Sequence, residues 1–127
     1  MKHFRIGTFN VRGLKDEQKQ KVLADDVDNY RLDICALQET KIKEGVDRNF
    51  EENKHRLIAF DSLQQHYGNG FIVAKKWKEN IYKTWKVSDR ICVLQLQTKL
   101  PEQESTFREW QNQNREKNQV YIEHYQE

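Results

Sequence analysis

Every position of the run Ile34-Cys35-Ala36-Leu37 is apolar, with Asp33 before it and Gln38-Glu39 after it. A strand with one face in water alternates apolar and polar residues, so a strand that does not alternate is covered on both faces. The chain must therefore fold in layers around this segment. The preceding residues say how. Phe4, Ile6, Thr8 and Asn10 alternate with Arg5, Gly7, Phe9 and Val11, and Arg12-Gly13 ends that strand in a turn. Over residues 16–31 the period becomes helical, with Val22, Leu23, Val27 and Tyr30 on one face among Asp and Lys. Asp16 is placed to cap this helix, because a carboxylate there accepts from the free amides of the first turn. Strand, helix, strand in this order predicts a right-handed crossover between parallel strands.

Residues 43–54 are charged and read as a loop or short helix. His55 to Phe60 reads as a third strand, Gly68-Asn69-Gly70 as a turn, and Phe71 to Ala74 as a fourth strand. Residues 81–87 make a weaker strand and Arg90 to Thr98 a well-alternating one. The sum is an α/β sheet whose later members pair antiparallel. Pro101 marks a boundary: residues 1–100 form the folded unit, and 101–127 are a Gln-, Asn- and Glu-rich tail without glycine, expected as a marginal helix or a disordered segment.

Hydrophobic residues are 36% of the chain and charged ones 33%, which predicts a thin core. The net charge is +2, but the tail holds six Glu against three Lys or Arg, so the first hundred residues are the basic part. A basic body suits a polyanionic partner. Cys35 and Cys92 lie inside apolar runs without histidine at ligand spacing and read as buried thiols of a reducing compartment. No apolar stretch nears the ~20 residues of a membrane span. The expected setting is intracellular, nuclear or cytoplasmic, with no membrane partner.

Asn10 closes the first strand and Glu39 the second. A right-handed crossover puts both strand ends on one edge of the sheet, where α/β proteins place ligands. An amide oxygen and a carboxylate are hard donors suited to Mg²⁺ or Mn²⁺. Such an ion polarises a phosphoryl oxygen and lowers the pKa of bound water. Asn and Glu also end strands merely because they solvate the exit.

The wording of these strand ends goes further. Thr8-Phe9-Asn10-Val11-Arg12-Gly13-Leu14 and Asp33-Ile34-Cys35-Ala36-Leu37-Gln38-Glu39-Thr40-Lys41 resemble the first two motifs of the endonuclease/exonuclease/phosphatase superfamily. They look most like its AP-endonuclease and non-LTR retrotransposon endonuclease branches. Tyr67-Gly68-Asn69-Gly70-Phe71-Ile72-Val73 resembles the family's glycine turn, and Arg90-Ile91-Cys92-Val93-Leu94-Gln95-Leu96 the strand paired after it. The resemblance covers residues 4–98 and implies the N-terminal half of a two-sheet α/β sandwich, one mixed sheet with flanking helices. It implies that Glu39 binds a catalytic Mg²⁺ or Mn²⁺ directly, with Asn10 beside it or orienting the phosphate. It places Arg12 and Lys41 where cations meet the substrate's phosphates, and Gln38 in support of Glu39. The implied substrate is nucleic acid, DNA in preference to RNA.

The family's later motifs supply a phosphate-binding histidine, an Asp-x-Asn pair and a Ser-Asp-His sequence. Asp47-Arg48-Asn49 and Ser88-Asp89-Arg90 carry some of those letters at the wrong places, and His3, His55, His66 and His124 do not follow suitable strands. The expectation is a truncated, retroelement endonuclease-like phosphodiester hydrolase fold with little activity by itself. Its sheet faces at Leu37, Phe60, Ile72 and Leu94 are expected to lack a partner sheet, which favours self-association or complementation by a C-terminal half. The alternative is a non-catalytic module that binds nucleic acid or protein.

Overall fold

The structure is a computed structural model that describes residues 4–64 and 66–97, and the backbone of 119–125. In chain order the elements are β1 (Ile6–Asn10), α1 (Glu17–Asn29), β2 (Ile34–Gln38), β3 (Val46–Asn49), β4 (Arg56–Ala59) and β5 (Asn69–Val73). A 3-10 turn (Lys75–Asn80), β6 (Ile81–Ser88), β7 (Ile91–Gln97) and β8 (Gln119–Tyr125) follow. Strands β1 to β5 form one mixed sheet in the order β1-β2-β5-β4-β3, and β6-β7-β8 form a second.

The crossover predicted for the first three elements is present. Strands β1 and β2 run parallel, Ile6 beside Ile34 and Asn10 beside Gln38. Asp16 caps α1 by accepting from the Gln18 amide at 2.8 Å. Leu23, Ala24 and Val27 of α1 cover one face of the sheet together with Cys35, Leu37, Leu57 and Ile72. The other face carries Ile34, Ala36, Phe71 and Val73, packed against Cys92, Leu94 and Leu96 of β7. Strand β2 is thus buried on both sides, as its composition requires. Both cysteines are buried free thiols, pushed by burial to about 11 for Cys35 and about 12 for Cys92.

Several expectations are corrected. The charged stretch 43–54 contains strand β3, which among the described residues pairs only with β4 and so needs no apolar run. A forked pair holds it instead: Arg56 donates to both Asp47 oxygens at 2.8 and 2.7 Å, and holds that carboxyl below its ordinary range. Asn69 and Gly70 belong to β5 and not to a turn; β5 inserts between β2 and β4. Leu37, Ile72 and Leu94 are fully buried, against expectation: Leu37 and Ile72 face α1, while Leu94 of β7 packs, with partly buried Phe60 beside it, in the cluster on the opposite face of the sheet. Exposed large hydrophobics are scattered among the described residues, with Leu63 and Tyr30 the most exposed, and two of them, Ile6 at 55% and Phe9 at 50%, lie on β1. Of the expected tail, residues 101–118 lie outside the described residues, while 119–125 form a strand antiparallel to β7.

The end of the sheet where β1 and β2 begin is tied by Asp33, whose oxygens accept from the Arg5 amide at 2.7 Å and the Trp77 indole at 2.8 Å. Buried His55 joins three segments there. Its Nδ1 accepts from the Lys75 amide at 2.9 Å, so the ring is neutral and Nε2 donates to Asp28 at 3.1 Å. Burial lowers its pKa from 6.5 against the pull of Asp28. The unfolded chain therefore takes up a proton that the folded chain refuses, and stability is complete above about pH 6.5 and falls as pH drops below it. The urea midpoint should decline between pH 7.5 and 5.5, and His55→Gln should flatten that decline. An unchanged slope in the variant would assign it to other groups.

Candidate functional site

The edge where β1 and β2 end is built by backbone hydrogen bonds between their exits. Val11 N–H donates to Gln38 O at 2.9 Å, Gly13 N–H to Glu39 O at 2.7 Å and Leu14 N–H to Thr40 O at 2.8 Å. The β2 exit also leans on the entrance to β5, through Thr40 N–H to Gly68 O and Lys41 N–H to Tyr67 O, both 3.1 Å. Gly68 (φ 117°) has no room for a side chain, since a Cβ would stand 2.3 Å from Thr40 Oγ1 and 3.0 Å from Lys41 N. The turn reading of Gly68 holds on those grounds.

This scaffold brings the sequence-derived residues to one edge. Asn10 is exposed at the end of β1, opposite Gln38. Glu39 is partly exposed, and its carboxylate lies 3.8 Å from the Lys41 ammonium. Arg12 is exposed in the β1–α1 loop. The Gln38 side chain donates through Nε2 to Thr8 Oγ1, so it braces β2 against β1. From the first turns of α1, Lys19 adds a cation by donating through Nζ to Val11 O.

Two features of this edge are energetically unfavourable. Arg12 (φ 50°), Glu39 (φ 54°) and Lys41 (φ 53°) are three of the five left-handed non-glycine residues among the described residues. Each such backbone costs roughly 1–2 kcal/mol. Thr40 Oγ1 and both amide atoms of Asn69 are buried with no hydrogen-bond partner, where an unmade bond costs about 1–3 kcal/mol. Thr40 lies between Glu39 and Lys41, and Asn69 pairs with Gln38. Sequence reasoning assigned neither a role. The only available signal was a polar residue between two glycines in one case and between two charges in the other.

The remaining candidate letters have structural duties elsewhere. Asp47 is committed to Arg56. Asp89 accepts from the Leu63 and Gln64 amides, both at 3.0 Å, and lies 3.5 Å from Lys86. His55 belongs to the opposite end of the sheet.

Among the described residues no three His, Cys, Asp or Glu side chains gather as a ligand set. The metal-suited donors singled out at the edge are the Glu39 carboxylate and the Asn10 amide oxygen. Mg²⁺ commonly keeps several waters and takes one or two carboxylates, completing its shell with substrate phosphate. The Glu39 and Asn10 pair fits that role as a partial set and would not make a closed zinc site. Neither the models of known protein families nor the curated proteins include a match to this chain.

Proposed function

We propose that this chain carries the metal-ligand half of a phosphodiester-hydrolase site of the endonuclease/exonuclease/phosphatase type, directed at nucleic acid and at DNA in preference to RNA. Glu39 would hold a Mg²⁺ or Mn²⁺ ion with Asn10 beside it, and Arg12 and Lys41 would meet the phosphates. Gln38 acts indirectly, by holding the β1 and β2 exits in register. The bound ion would supply polarisation of a phosphoryl oxygen.

The observation that carries this reading is the concentration of backbone strain and unpaired buried polar groups around Glu39. A fold dispenses with such costs where nothing requires them, and strained conformers gather at binding and catalytic sites. A carboxylate that merely solvated a strand end would need neither.

Proton transfer by a positioned base contributes about 10²–10⁴-fold to such reactions, and the residues assigned to the site, Asn10, Arg12, Gln38, Glu39 and Lys41, include no histidine for it. The expected result is divalent-ion binding with nicking of supercoiled plasmid near background. Mn²⁺ binding, followed by water-proton relaxation, should be lost in Glu39→Ala, and the circular-dichroism spectrum should not change. Equal Mn²⁺ binding by the variant would overturn the assignment. Mg²⁺-dependent nicking lost in the variant would keep the site and overturn the expectation of low activity.

A further inference from the structure

Strand β1 ends the five-stranded sheet. Its inward groups are identified by their bonds: Arg5 O accepts from the Asp33 and Ile34 amides at 2.8 and 3.3 Å, and Val11 N–H donates to Gln38 O at 2.9 Å. Peptide groups along a strand alternate sides. Arg5, Gly7, Phe9 and Val11 therefore face β2, while Ile6, Thr8 and Asn10 turn their N–H and C=O outward. Among the described residues no strand pairs with that side.

Natural edge strands are usually blunted by lysine, proline or a bulge. Ile6-Gly7-Thr8-Phe9-Asn10 has none of these. Half-exposed Ile6 and Phe9 point to opposite faces of it. On the helix side, beside Gly7, lies a hollow of about 320 Å³ lined by Leu23, Val27, Leu32 and Cys35.

We propose that β1 pairs antiparallel with β1 of a second copy of this chain, in the register that sets Thr8 opposite Thr8. Only that register pairs all three outward residues of both strands: the two Thr8 residues exchange bonds, and each Ile6 exchanges bonds with the partner's Asn10. It also sets each Phe9 opposite the partner's Gly7 in the close, non-hydrogen-bonded kind of pair, about 4.5 Å between Cα atoms. The ring then packs on Leu32, whose Cδ1 lies 2.7 Å from where a Cβ on Gly7 would stand and so covers that glycine, at the mouth of the hollow. The contact is reciprocal under a two-fold axis, the requirement for a closed dimer. The exposed Phe9 ring and the Leu32 surface over Gly7 thus meet twice, once from each copy, and this self-complementarity selects a second copy over an unrelated strand. Because the edge is short, the dimer is weak and concentration-dependent. The proposal stands whatever Glu39 binds.

Sedimentation of the full chain across a hundredfold range of concentration should show a monomer–dimer equilibrium. Thr8→Pro removes an outward N–H and leaves the β1–β2 ladder its donors, but it also removes the hydroxyl that accepts from Gln38. Thr8→Val, which loses only that hydroxyl, is therefore its control, and Thr8→Pro should weaken the dimer at least tenfold relative to Thr8→Val. Register is read by mild oxidation of cysteine variants. Paired Thr8 residues stand about 5.5 Å apart between Cα atoms, within disulfide reach, whereas two Ile6 residues are separated by most of the strand. Thr8→Cys should cross-link into a covalent dimer and Ile6→Cys several-fold less; buried Cys35 and Cys92 give no background. A monomer at every concentration, a dimer indifferent to Thr8→Pro, or cross-linking through Ile6→Cys in preference to Thr8→Cys would each overturn the proposal.

Discussion

Phe71→Ala should destabilise the protein by about 3–5 kcal/mol, the range for deleting a fully buried aromatic ring. Phe71 is the largest of the completely buried side chains among the described residues. It sits at the middle of β5, opposite Ala36 on β2 and Ile58 on β4. Its ring belongs to the cluster that joins the two sheets, with Ile34 and Val73 on one side and Cys92, Leu94 and Leu96 on the other. Small Ala36 cannot swell to fill the space, so the cavity persists and adds to the lost transfer energy. Single domains are stable by only about 5–15 kcal/mol, and this chain's core is thin. Urea denaturation followed by far-UV circular dichroism should therefore show a midpoint shifted far down, with a comparable slope. A loss below about 1.5 kcal/mol, no more than a tolerated core swap, would mean that the second sheet does not rest on this ring. Ile6→Ala is the matched control: an exposed position, it should change stability by no more than about 0.5 kcal/mol.

Gly70→Ala should cost about 3 kcal/mol, at the upper end for overpacking, although it adds one methyl group. A Cβ on Gly70 would stand 2.3 Å from Ile58 O and 2.7 Å from Ala59 Cα. Both are backbone atoms of β4, so no rotamer change relieves the clash. Strand β4 must move away from β5, and β3 is attached to the sheet only through β4. The damage therefore spreads to the β3–β4 side of the sheet, and exchange protection of the β4 amides should fall before that of β2. At Gly45 the nearest atom to an added Cβ is Ala59 O at 3.3 Å, and Gly45→Ala should be much milder. Equal effects at both positions would show that the close approach of β4 to β5 does not govern stability.

The neighbourhood of Gly70 also shows where local patterns stop being informative. Gly-Asn-Gly has the composition of a turn, and only Gly68 behaves as one. Gly70 is glycine because two strands distant in sequence approach each other there, and Asn69 is buried because Gln38 pairs with it. Neither fact is encoded in the six residues around them. The same holds for β3, where Val46 is the only apolar residue of four. Its ion pair to Arg56 joins residues nine apart, across a turn that periodicity does not reveal. The candidate edge was legible in part. Asn10 and Glu39 stood out because a polar residue ends an otherwise apolar or alternating strand, while Thr40 acquires meaning only from the burial that Gly68 permits.

The sequence by itself determined the β1-α1-β2 unit, its Asp16 cap, the double burial of β2 and the shared edge of Asn10 and Glu39. Those follow from periodicity and chain connectivity, which act over a few residues or one crossover. The tertiary structure alone decided that β5 slots between β2 and β4, that α1 covers Leu37 and Ile72 while the β6–β7 hairpin covers the opposite face of the sheet, and that no described strand pairs with the outer side of β1. These depend on which strands find each other across long separations, and that choice rests on backbone pairing and burial summed over the whole sheet.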